Sequence, residues 1–209
     1  MRRRGTIAIL SILGLALARS SLAAEIAGRE LRFLPGPVEP SPHHHTKHLA
    51  IRPESLKTGW VLDRQCHENL DPVPAMQVVF SAGKVRKLRI TRSENIGAAR
   101  VEGNSVQLEQ VGGNAVLCLE SENRMLEYDP LLKQYTLVSG PYMRRFLDGY
   151  FPMRLSFDLE YPAPLLRLAD IQPAELRAGA GTPPGRIQID ALFEGELRIT
   201  LRFMSTAPP

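Results

Sequence analysis

Past residue 23 the chain has no long apolar run, so no permanent membrane-spanning helix is expected there; a span needs about 20 apolar residues. Aromatic residues are scarce: seven phenylalanines, five tyrosines and one tryptophan. The strongest basic strip, "KVRKLRITR" (84–92), has none of the interleaved aromatics on which bases stack, which argues against a nucleic-acid partner. Cysteine is limited to Cys66 and Cys118, so no C-x-x-C redox or zinc pair exists. Nucleophile-elbow, Walker and dinucleotide-binding fingerprints are missing, as is the N-x-[ST] glycosylation acceptor. Nothing in the sequence therefore points to a familiar hydrolase, nucleotide hydrolase or dehydrogenase.

What is present begins with an export pattern. Arg2, Arg3 and Arg4 precede an apolar run over 7–18, and Ser21 and Ala23 occupy the −3 and −1 positions of a cut after Ala23. This predicts a signal peptide over 1–23 and a periplasmic or secreted mature chain. The leader also carries the charge imbalance. The whole chain has 26 basic and 22 acidic residues, and residues 1–23 hold four arginines and no acid, which leaves 22 of each. The high isoelectric point belongs to the leader and says nothing of nucleic acid. In an oxidising compartment the pair Cys66 and Cys118 reads as a disulfide.

Residues 24–46 form a Pro/His-rich segment, with Pro35, Pro37, Pro40 and Pro42. Proline at this density favours extended backbone and removes ladder donors, so a surface strap is expected. Residues 47–205 read as a single domain, with a subdivision near 140 left open. In "MRLSFDLEY" and "ELRITLRF" apolar and polar residues alternate strictly, the signature of strands with one buried face. Turn signals recur at Ala82-Gly83-Lys84, Gly103-Asn104, Gly112-Gly113-Asn114 and Asp129-Pro130, and "FEGE" reads as a hairpin joining the last two strands. The expected fold is mostly β: an antiparallel β-sandwich, immunoglobulin-like or jelly-roll-like. One short helix is expected around 141–149, where Met143, Phe146, Leu147 and Tyr150 fall on one helical face.

Four places carry chemistry. His43, His44, His45 and His48 lie within six positions, and His67 follows. Imidazole ligates zinc, copper and nickel, so His43, His45, His48 and His67 are the candidate metal ligands. The plainer reading, preferred here, is a solvated segment that needs no cofactor. "HENLD" begins like the zinc-protease motif but ends in Asp71, and Pro72 denies it a helix. An acid such as Glu68 or Asp71 beside His67 is what a hydrolase would require. Lys84, Arg86, Lys87, Arg89 and Arg92 form a basic strip, read as an edge strand kept soluble by charge. Tyr142, Arg144, Arg145 and Tyr150 combine the residue types enriched at binding hot spots and form the expected interaction surface.

Taken together, these residues predict an exported, non-enzymatic binding or accessory protein with a protein or envelope-component partner. The alternatives are a periplasmic transition-metal-binding protein using the 43–48 histidines, and a hydrolase centred on His67.

Overall fold

A computed structural model describes residues 28–179 and 183–206. The expected signal peptide lies outside these residues. Chain order begins with β1 (Arg32–Phe33), β2 (His43–Ala50), helix α1 (Ser55–Thr58), β3 (Trp60–Leu70) and β4 (Val73–Val79). The long strands β5 (Val85–Glu102) and β6 (Ser105–Arg124) follow, then β7 (Leu126–Asp129), β8 (Gln134–Tyr142), β9 (Arg144–Phe146) and β10 (Gly149–Phe151). Last come β11 (Met153–Glu160), β12 (Leu166–Gln172), a 3-10 turn (Ala174–Gly179), β13 (Arg186–Glu194) and β14 (Leu197–Ser205).

The larger sheet runs β1-β13-β11-β2-β3-β6-β4, with β5 on the other flank of β6. The smaller runs β12-β14-β8-β7. Their facing sides share one core, and neither closes into a barrel. The expected mostly-β, antiparallel sandwich is therefore the fold, with one parallel pair where β2 lies beside β11. The alternation in β11, β13 and β14 places Phe157, Phe193 and Phe203 in that core at 0–1% exposure. Each contributes roughly 1.5–3 kcal/mol by leaving water. Among the described residues no helix is long and apolar enough to cross a membrane.

Three expectations are corrected. The 24–46 segment does not stay outside the sheet: His43–Ala50 is a strand flanked by β3 and β11, the prolines having ended just before it. The 141–149 helix is a hairpin, in which Phe146 pairs with Gly149 and Arg144 with Phe151. Eight residues of helical spacing are too few to nucleate a stable helix without tertiary support. The short helix is instead α1, closed by Gly59 in the left-handed conformation at φ 76°. Finally, "FEGE" does not join paired strands. β13 and β14 sit in opposite sheets, and the chain crosses the core edge at Gly195, whose φ is 85° and whose Cβ position would collide with the Glu30 carbonyl.

The β5–β6 hairpin is bent back on itself. Val79 at the end of β4 pairs with Ser105, while Val85 at the start of β5 pairs with Asn123. The intervening link spans at most about 20 Å, whereas a straight strand from Ser105 to Asn123 would run about 60 Å. Register shifts along β5, and positive φ at Asn95, Gln110 and Asn114, supply the bend. The fold-back encloses a second core of Leu70, Val106, Leu108, Val111, Leu117 and Leu119. The expected turn at 82–84 exists, but the strands it joins pair with β6 rather than each other.

Candidate functional site

A groove of about 850 Å³ opens over the inner face of β2 and β3, flanked by β4 and by residues 138–146. That volume lies within the range of small-molecule sites, roughly 300–1,000 Å³. Strand alternation builds its floor. His43, His45 and Lys47 point inward from β2, and Asp63, Gln65 and His67 from β3, while His44, His48, Cys66 and Glu68 take the opposite face. The register sets His45 opposite His67 and Lys47 opposite Gln65. The same face of β6 adds Ser121 and Asn123.

Three imidazoles meet there. His43 Nε2 lies 3.1 Å from His67 Nδ1, and the rings of His45 and His67 stack at 4.1 Å between centroids. Lys47 Nζ donates to Gln65 Oε1 at 3.0 Å and to Asp63 Oδ2 at 2.6 Å. An ammonium only donates, so the Gln65 atom is the carbonyl oxygen; His45 Nε2, 3.1 Å from it, therefore carries its proton. Asn123 Nδ2 also donates to Asp63 Oδ2, at 2.6 Å. Asp63 Oδ1 and His67 Nε2 are buried without a hydrogen-bond partner among the described residues. Tyr142 closes the far side, its ring edge-on to His45 and its hydroxyl 2.5 Å from Ser139 Oγ.

Burial dominates the electrostatics. Desolvation lowers His43 to about 4, and drives His45 and His67 well below their usual value, helped by repulsion among the imidazoles and from Lys47. Burial likewise raises the Tyr142 phenol. The floor is thus three neutral imidazoles beside a buried ion pair. A histidine held neutral in the fold takes up its proton more readily when unfolded, so stability is complete above about pH 6.5 and falls as pH drops toward 4. At pH 5 the expected loss from His43 alone is about 2 kcal/mol. Urea titrations at pH 7.5 and 5 check this, with His43→Gln recovering part of the difference; equal midpoints at both pH values would contradict it.

The walls are apolar. Met76, Met125, Met143 and Met153 line the groove, four of the chain's six methionines, together with Val78 and Phe80. Methionine is unbranched and polarisable, and suits surfaces that accept variable shapes. At one end Arg144 bridges to Asp71, with Nε 2.9 Å from Oδ2, its guanidinium 5.5 Å from the Phe151 ring centroid.

The sequence-derived candidates are partly gathered here. His43, His45 and His67 converge, but His48 is exposed on the other face, 3.3 Å from Asp158. Among the described residues no group of three histidine, cysteine or acidic side chains is placed to hold a metal ion. Asp71 lines the groove with His67, whereas Glu68 faces His44 on the outer side. Both cysteines form the Cys66–Cys118 disulfide, and Ser139 bonds Tyr142, so neither supplies His67 with a nucleophile. Of the expected interaction surface, Tyr142, Arg144 and Arg145 all line this groove: Tyr142 is buried, Arg144 is ion-paired, and Arg145 packs over its hairpin partner Tyr150. The basic strip lies on β5, which among the described residues pairs only with β6, and its Arg86, Lys87 and Arg89 pair with Glu120 and Glu122 of that strand.

Lys47, Asp63 and Gln65 are site residues that belong to no sequence motif. Their signal was phase: Lys47 alternates in step with Leu49 and Ile51, and Asp63 and Gln65 in step with Val61, all inward positions. Of the methionines, Met153 is in phase with the alternation of β11, whereas Met76 and Met125 belong to no periodic pattern read from the sequence. No protein-family model, curated protein or solved structure matches the chain.

Proposed function

We propose that this is an exported, non-enzymatic binding protein that holds a small amphipathic molecule in the groove between its sheets. One observation carries the reading: a cavity of ligand size has methionine walls and a floor of neutral imidazoles beside the Lys47–Asp63 pair. Such a lining suits a molecule with a flexible apolar body and a polar group. Export is supported by the leader pattern and by the disulfide, which persists in oxidising compartments. Binding is favoured over catalysis because His67 is bonded to another imidazole, not to a nucleophile or a carboxylate.

The test is fluorescence titration with 1-N-phenylnaphthylamine, a neutral apolar probe. The protein is expected to bind it saturably. A charge placed on the wall by Met143→Glu or Met76→Glu, with circular dichroism unchanged, is expected to weaken binding at least about tenfold. No saturable binding, or equal affinity in folded variants, would remove the reading.

A further inference from the structure

Resting on that reading, we infer that the polar end of the ligand is an anion, so that the groove selects anionic amphiphiles over neutral and cationic ones.

The argument is one of charge balance around the groove. Its carboxylates are Asp63, Asp71 and Glu127, and each already has a cation: Lys47 at 2.6 Å, Arg144 within hydrogen-bond distance and Lys84 at 3.6 Å. No lining carboxylate is left to receive a cationic headgroup. Three guanidiniums remain. Arg124, Arg145 and Arg198 line the groove and have no carboxylate partner among the described residues. The imidazoles of the floor are neutral and do not offset them. A cleft with an excess of one sign and low-dielectric walls concentrates ligands of the other sign. Arginine is the side chain whose planar fork matches carboxylate and phosphate oxygens two at a time. By contrast, Arg86, Lys87 and Arg89 on β5 are neutralised by Glu120 and Glu122.

Charge and apolar lining then specify different parts of one ligand. The methionine wall takes an alkyl or acyl chain, and the arginines take its carboxylate or phosphate.

Displacement of the bound neutral fluorophore tests this at pH 7.5, with three amphiphiles of equal chain length kept below micelle formation: dodecanoate, dodecyl phosphate and dodecyltrimethylammonium. The anions are expected to displace the probe at concentrations at least about tenfold lower than the cation, with the gap narrowing as salt rises. A preference for dodecanoate over dodecyl phosphate assigns the headgroup as a carboxylate, and the reverse as a phosphate; either supports the inference. In the triple variant Arg124→Gln, Arg145→Gln, Arg198→Gln the probe should still bind, and the anionic advantage should fall to within about threefold. Equal displacement by the cation, or an undiminished advantage in that variant, overturns the inference and leaves the groove reading standing. Failure of the fluorophore to bind the unaltered protein removes the groove reading, and the inference with it.

Discussion

Replacing Lys47 with methionine will destabilise the protein by about 3–5 kcal/mol, the usual cost of stripping a buried carboxylate of its partner. The side chain of Asp63 is 0% exposed, its Oδ1 has no hydrogen bond among the described residues, and its Oδ2 accepts from Lys47 and Asn123. Methionine matches lysine in length but donates nothing, so a negative charge in a dry interior would keep only the Asn123 amide. For a domain of this size that loss corresponds to a fall in unfolding temperature of roughly 6–20 °C. The double variant Lys47→Met, Asp63→Leu separates charge from packing. Replacing both members of a buried pair with apolar groups of similar volume is often nearly neutral, so the double variant should be more stable than Lys47→Met alone. Urea unfolding of the three proteins decides it. A single variant within 1 kcal/mol of the parent, or a double variant worse than the single, would show that the pair is not what holds this floor together.

Loss of the disulfide will cost about 4 kcal/mol. Cys66 and Cys118 are directly opposite one another on β3 and β6, and the bridge spans 52 residues of chain. Constraining a loop of that length removes about 4 kcal/mol of conformational freedom from the unfolded chain. The bridge lies on the face opposite the groove, since Cys66 alternates with Gln65 and His67. The effect should therefore be selective. The Cys66→Ala, Cys118→Ala variant is expected to unfold at much lower urea, yet to bind the neutral fluorophore with the affinity of the parent at low temperature. A midpoint unchanged by reduction would contradict the loop argument. A large loss of affinity in the folded variant would show that the two faces of β3 are coupled.

Both expectations depend on β3, and β3 shows how much of the site the sequence made legible. As a strand, "WVLDRQC" of β3 sets Cys66 and the following His67 on opposite faces by alternation alone. His43, His45 and His67 were singled out by residue type, and the structure brings them together. His48 was grouped with them by proximity in sequence, but it is an odd number of residues from His43 and His45, which in a strand means the other face. The Pro/His-rich segment departs from a surface strap because its prolines end at Pro42, one residue before β2 begins. In 140–152 a spacing of i, i+3, i+4 and i+7 over so few residues fits a two-residue hairpin as well as two turns of helix, and the hairpin is what forms.

What the sequence determined by itself was periodicity, parity and pattern: a mostly-β chain, strands with one buried face, a paired set of cysteines, and an export-like leader. These are local properties, carried by neighbours within a few residues of each other. Which strands pair and which merely face one another was decided only by tertiary structure. β13 and β14 alternate alike and meet a shared core from opposite sheets; β2 enters the large sheet beside a strand more than a hundred residues later; β5 and β6 curl back so that β4 can flank the groove. Alternation records that a face is buried but not against what. The groove exists because polar in-phase residues of two strands and methionines scattered along the chain are brought to one place by contacts that no local pattern encodes.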